Sequence, residues 1–253
     1  MLKTIDFYYF SPTGGTKRVG ECLANALSET LLMHDLADKK TTLESPKSDI
    51  SLIALPVYGG RIPNFTAKKL KLIRGGGKCA VTVVVYGNRA YEDALLELNN
   101  ILEEGDFCVV ASGAFIAQHS MCPEVGAGRP DGKDFQELRV FGTQILEKLT
   151  KECKNKVSVP GNYPYKADFV VAATPISTDA CSMCGRCAEL CPTDAIGISD
   201  NKLVTDGSKC ALCMACVKAC PTRARILPLP MSEKIRQMLF KFKDIRRGNE
   251  TYI

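Results

Sequence analysis

The chain has 253 residues, of which 45% are hydrophobic and 24% charged, and its formal net charge is +5. That length suits one ordinary domain plus a small one, and the composition is that of a soluble globular protein, not a disordered or fibrous one. No apolar run reaches the eighteen residues of a membrane helix, and the opening Met1-Leu2-Lys3-Thr4-Ile5-Asp6 lacks the pattern of a signal peptide, so a cytoplasmic location is expected.

From Lys3 to about Cys153, short β-branched runs alternate with helical patterns. Strands are predicted at Thr4–Phe10, Ile50–Val57, Cys79–Tyr86 and Phe107–Ile116, with a weaker one at Leu31–Leu36. Several are apolar almost throughout, as in strands buried on both faces of a parallel sheet. Helices are predicted at Thr16–Glu29, Phe65–Ile73, Tyr91–Glu103 and Lys133–Lys151. In the last, Phe135, Leu138, Phe141, Ile145 and Leu149 form one apolar stripe. The order predicts an α/β fold with a doubly wound, parallel, five-stranded sheet over residues 1–153.

Residues 154–178 lose this pattern. Val159-Pro160-Gly161-Asn162-Tyr163-Pro164-Tyr165 reads as a linker running over a surface. An internal repeat follows: Cys181–Ile198 aligns with Cys210–Leu227 at a shift of 29 positions. This predicts a duplicated small domain over 179–228. The remainder, 229–253, places Met231, Ile235, Met238, Leu239, Phe242 and Ile245 at helical spacing among Lys234, Arg236, Lys241, Lys243, Arg246 and Arg247. A basic amphipathic helix over 231–247 suits either packing across the chain's own domains or peripheral contact with a membrane or an acidic partner.

Eight of the thirteen cysteines fall within 40 residues, as Cys181-x2-Cys184-x2-Cys187-x3-Cys191-Pro192 and Cys210-x2-Cys213-x2-Cys216-x3-Cys220-Pro221. Structural zinc prefers pairs of cysteines separated by a longer gap, and a disulfide framework has no support without secretion. The residues between them are small or apolar (Ala188, Ala195, Ile196, Ala211, Ala215, Ala219), too little to hold the segment without metal. The other five, Cys22, Cys79, Cys108, Cys122 and Cys153, read as apolar packing residues.

The two cysteine runs resemble those of bacterial-type ferredoxins, small α+β domains with two [4Fe-4S] clusters. In that pattern the fourth cysteine of each run serves the other cluster. The resemblance implies one cluster on Cys181, Cys184, Cys187 and Cys220, and a second on Cys210, Cys213, Cys216 and Cys191. It also implies one-electron transfer.

Earlier in the chain, the first predicted strand runs into Ser11-Pro12-Thr13-Gly14-Gly15-Thr16 and then a helix. Hydroxyls and glycines at a helix N-terminus make an anion pocket. No G-x-x-x-x-G-K-[ST] is present: Gly77-Lys78 is followed by Cys79. Gly126-Ala127-Gly128 leads into Arg129-Pro130 rather than a helix. A plain glycine-rich helix cap stays as the simpler reading.

This loop, with the order of elements over 1–151, resembles the FMN phosphate site of flavodoxins. That resemblance implies a flavin ring between Pro56-Val57-Tyr58-Gly59-Gly60 and Tyr86-Gly87-Asn88-Arg89, with Tyr58 or Tyr91 stacked on it. It also implies that Gly59 or Gly60 lets a peptide turn toward the ring's N5. The chain has no tryptophan, which many flavodoxins place beside the ring. The long stretch from Gln118 to Asp131 is expected to cover the ring or face the cysteine domain, and His119 is a candidate donor there.

Together the two segments resemble fused flavodoxin–ferredoxin proteins of anaerobes. The expected function is electron relay between clusters and FMN for a redox protein partner. Two alternatives are a flavin-dependent reductase of a small molecule, such as a quinone or an oxidised cofactor, and a non-catalytic redox sensor. Thiolates on two oxidised cubanes would contribute about −4 and a flavin phosphate about −2, which brings the charge to about −1. Nucleic acid is therefore not an expected partner.

Overall fold

Parallel sheets bury both faces, and the strands here carry side chains for both. The computed structural model describes residues 1–39, 43–151, 155–168, 170, 172–199 and 202–253. In chain order the first unit comprises β1 (Leu2–Tyr9), α1 (Gly15–Leu27), β2 (Ser28–Asp35), β3 (Ile50–Pro56), α2 (Asn64–Leu70), β4 (Cys79–Tyr86), α3 (Ala94–Glu104), β5 (Cys108–Ile116) and α4 (Gly132–Thr150). The strands lie in the order β2-β1-β3-β4-β5, all parallel. This is the flavodoxin-like arrangement. On β1, Phe7 and Tyr9 pack with α1 and α4 residues such as Leu23 and Phe141, while Tyr8 and the following Phe10 pack with Leu70 and Leu98 of α2 and α3. The scattered cysteines Cys22, Cys79, Cys108 and Cys122 join these and a neighbouring apolar cluster. Cys153 lies outside the described residues.

The linker is held down rather than loose. The buried Asp93 carboxylate accepts from Asn162 N (2.8 Å), Asn162 Nδ2 (3.1 Å) and Lys166 N (2.7 Å). Asn100 donates to the Tyr165 hydroxyl at 2.7 Å, and the Arg61 guanidinium lies 4.8 Å from that ring's centre.

The second unit contains β6 (Ile176–Ser177), α5 (Arg186–Glu189), β7 (Ile196–Ser199), β8 (Lys202–Thr205), α6 (Ala215–Ala219) and β9 (Arg225–Ile226). β6 pairs with β9 and β7 with β8, both antiparallel, so the strand before each repeat pairs with the strand that closes the other. The repeat is written in the backbone as well. Left-handed φ values occur at Met183 (55°) and Leu212 (51°), Gly185 (76°) and Met214 (66°), and Asp194 (51°) and Arg223 (56°), each pair 29 positions apart.

The tail departs from the sequence expectation. Its helix α7 (Leu229–Leu239) ends well before residue 247, and only a short 3-10 turn at Phe240–Phe242 follows. Ile235 and Leu239 pack with Cys122 and Val125 of the 118–131 loop and with Leu212 and Met214 of the cysteine segment. The chain then returns to the first unit, where β10 (Glu250–Tyr252) adds an antiparallel edge strand against β5. The expected five-stranded sheet therefore has six strands, the sixth supplied by the far end of the chain. Among the described residues no helix is long and apolar enough to cross a membrane.

A polar hub at the N-terminus of α4 fastens this return. Asp131 and Asp134 form a reciprocal capping box, and Arg129 Nε donates to Asp134 at 2.9 Å. Arg246 donates twice to Asp131, at 2.6 and 3.0 Å. Asn249 accepts from Ile116 N at 3.0 Å and donates to Asp134 at 2.9 Å and Glu137 at 2.6 Å. Net hydrogen-bond contributions run near 1 kcal/mol and are not additive, so Asn249→Ala is expected to cost about 2 kcal/mol. Denaturant titration reads the loss, and amide exchange at 112–116 should accelerate. An unchanged midpoint with unchanged exchange would contradict the anchoring role.

Candidate functional site

In a doubly wound sheet the loops at the carboxyl ends of the strands frame the binding crevice. A cavity of about 390 Å³ lies there. Its walls include Pro12, Thr13, Gly15 and Thr16 after β1, then Pro56 to Gly59 after β3. Tyr86, Gly87 and Arg89 after β4 and Gln118 to Met121 after β5 also line it.

At one end, the N-cap residue of α1 is Gly14, which has no side chain to offer the helix, and the first turn carries no acid. Gly14 takes φ of +94°, a conformation that side-chain-bearing residues rarely adopt, and this turns the chain into the helix. Ser11 Oγ accepts from Lys17 N at 2.9 Å, so it shapes the loop and does not line the cavity. The open N-terminus with two threonines beside it fits an anion.

Along the walls, Tyr58 packs edge-on to Phe10, their ring centres 6.5 Å apart. Its hydroxyl is buried with no hydrogen-bond partner among the described residues. Burial, then the neighbouring Cys213 and Cys210, push its pKa well above the usual phenol range. His119 is half-buried; desolvation and then Arg89 lower its pKa to about 4, so the ring is neutral near pH 7. Its Nδ1 accepts from Met121 N at 3.2 Å, which leaves the proton on Nε2.

Of the residues expected beside the ring, three do not line the cavity. Tyr91 does not line the cavity: its hydroxyl lies 2.6 Å from Glu250 and 2.8 Å from Tyr252, drawn toward β10. Asn88 also turns away, donating to the Phe242 and Ile245 carbonyls at 3.0 and 2.6 Å. Gly60 serves packing, since a Cβ there would collide with the Glu92 carboxylate. In the other direction, the sequence did not reveal that Ala211 to Cys213 and the α7 residues Met231, Lys234, Ile235, Met238 and Leu239 close the cavity. The helical spacing of the α7 residues was visible; their target was not.

The eight clustered cysteines surround two small concavities. Cys181, Cys184, Cys187 and Cys220 line one; Cys191, Cys210, Cys213 and Cys216 line the other. Backbone N–H groups point at sulfur in the second set, Ala195 N to Cys191 Sγ at 3.2 Å and Leu212 N to Cys210 Sγ at 3.4 Å. Burial chiefly pushes the Cys213 thiol up to about 12, so metal binding must displace its proton. Among the described residues no three His, Cys, Asp or Glu side chains converge on a single-ion site. Cubane ligands need no such convergence, because each thiolate binds its own iron. Cys184 of the first set is exposed, whereas Cys213 of the second also forms part of the 390 Å³ cavity.

Residues 180–224 match the sequence model of the 4Fe-4S dicluster domain. This segment is a 4Fe-4S dicluster domain. The chain fuses it to the flavodoxin-like sheet. No curated protein matches the chain in sequence. Among solved structures, the flavodoxin of Streptococcus pneumoniae TIGR4 aligns at 16% identity and TM-score 0.42, covering 57% of this chain and 99% of that one. Flavodoxin 1 of Bacillus cereus aligns at 16% and 0.43, covering 57% and 98%. The rubredoxin oxygen:oxidoreductase of the anaerobe Desulfovibrio gigas aligns at 14% and 0.42, covering 59% of this chain and 36% of that one.

The left-handed positions of the dicluster domain are open to direct measurement. Arg223 is exposed at φ 56°, a conformation that costs a non-glycine residue about 1–2 kcal/mol. Arg223→Gly is expected to stabilise the cluster-loaded protein by about 1 kcal/mol, read as a higher denaturant midpoint. A lower midpoint would show that the Arg223 side chain contributes more than its backbone costs.

Proposed function

We propose that the chain is an electron-transfer flavo-iron-sulfur protein. In this reading the dicluster domain relays single electrons between a redox protein partner and FMN held on the flavodoxin-like sheet. The observation that carries it is the double position of Cys213, which lines both a cysteine concavity and the cavity that begins at the Thr13–Thr16 loop.

The open start of α1, with the Thr13 and Thr16 hydroxyls, suits the FMN phosphate. Pro56 to Gly59 and Tyr86 to Arg89 would flank the ring, with Tyr58 between it and the second cysteine set. His119 would present a neutral Nε2–H donor. When bound, a flavin exchanges one or two electrons and each cubane one, so the pair joins the two regimes. The chain's own residues supply the enclosure: Met231, Ile235, Met238 and Leu239 shield the cavity from water. The exposed Cys184, with Met183 and Leu190 also exposed nearby in sequence, marks the face where a protein partner would dock.

A second reading, reduction of a small molecule at the ring, is favoured by one observation. The cavity is walled by Gln118 to Met121 and by α7, whereas a plain carrier would leave an open ring edge.

Anaerobic reconstitution followed by optical and EPR redox titration tests the proposal. About eight irons and one flavin per chain are expected. Absence of a flavin signal with the Ser11–Thr16 loop intact would overturn the relay. Cys220→Ala should abolish the signal of the cluster on Cys181, Cys184 and Cys187, and loss of the other cluster alone would reverse the ligand sets. Thr13→Val should weaken FMN about tenfold while leaving riboflavin affinity unchanged, because only the phosphate loses a donor.

A further inference from the structure

Arg225, at the start of β9, is 2% exposed and stands among the largest fully buried side chains of the protein. Its Nη1 donates to Ser177 Oγ at 3.1 Å and its Nη2 to Thr205 Oγ1 at 2.7 Å. These partners are neutral hydroxyls. Its Nε has no hydrogen-bond partner among the described residues. A buried guanidinium held only by neutral groups is strongly unfavourable unless an anion compensates it.

The anion is available on both sides. Arg225 lines the concavity of Cys181, Cys184, Cys187 and Cys220, and the Thr205 hydroxyl that its Nη2 holds belongs to a residue lining the concavity of the other set. The duplicated half offers no equivalent, because the residue 29 positions earlier is the apolar Ile196, packed among Cys187, Cys191 and Cys216. An aliphatic side chain therefore fills the corresponding place in one repeat, and packing alone does not call for an arginine in the other.

We propose that Arg225 is the buried countercharge of the dicluster domain, its guanidinium compensating the thiolate-ligated clusters of both sets and its Nε–H donating to their sulfur. This rests on the reading that the eight cysteines hold two clusters. Reduction adds one negative charge to a cluster, and a fixed cation favours the more negative form. Arg225 thus raises both cluster potentials, as a positioning residue that takes no part in any covalent step. Loss of the clusters leaves the cation uncompensated in the interior, which ties the fold of the segment to its metal.

The test uses the full chain, with iron and sulfide analysis first. In Arg225→Met, EPR-monitored titration should shift both cluster midpoints to more negative values, by about tenfold or more in each reduction equilibrium, or about 59 mV per tenfold for one electron. The flavin midpoint should stay where it is, and Arg225→Lys should retain most of the effect. If Arg225→Met fails to keep its clusters, amide exchange over 174–199 and 202–227 decides: the metal-free variant should be more protected than the metal-free wild type. Unmoved midpoints in a loaded variant overturn the inference, as does a metal-free variant no better protected than wild type. A wild-type chain without clusters overturns the parent reading and this inference together.

Discussion

The Ala211–Cys213 loop has to satisfy two neighbours at once, since Cys213 belongs both to a cysteine concavity and to the cavity above the sheet. The rest of the architecture bears on keeping that loop in place. The linker cannot swing freely, because Asp93 binds it through three hydrogen bonds at the start of α3. Beyond the dicluster domain, α7 packs Leu239 and Ile235 against Leu212 and Met214. β10 and Asn249 then fasten the end of the chain to β5 and α4. A small domain tethered at one end would sample many orientations; ties on both sides reduce that freedom.

Much of this was legible in the sequence, and what escaped follows a physical pattern. β4 was read to the residue because all eight of its positions are buried, so no charged residue interrupts the run. β2 gave a weak signal because it is an edge strand with only one of its eight positions buried. β10 has three residues and almost no pattern of its own; its pairing with β5 depends on contacts more than a hundred residues away. The tyrosines expected beside a flavin ring could not be separated by type. Tyr58 and Tyr91 are both aromatic residues on loops after strands, and Glu250, on a strand that could not be foreseen, draws Tyr91 aside.

The cysteine spacing was the most legible feature because chemistry fixes it locally. Its cost appears in the backbone, where Met183, Leu212, Met214, Asp194 and Arg223 hold left-handed angles that only the glycine at 185 adopts without strain. Such angles persist where the surroundings over-determine them. N–H donors such as Leu212 N contribute to that here, since the turn that carries a cysteine inward also aims a neighbouring amide at sulfur.

Duplication alone would yield two equivalent halves. The departures from symmetry supply the difference. Cys184 is exposed to solvent, whereas its repeat mate Cys213 faces the cavity. Gly185 is matched by Met214, whose side chain is buried under α7. Ile196 is matched by Arg225, which places one positive charge where the fold's own symmetry would have put none. These departures leave one half exposed at Cys184 and make the other, at Cys213, a wall of the cavity, so the asymmetry of the domain resides in the positions where the repeat is broken.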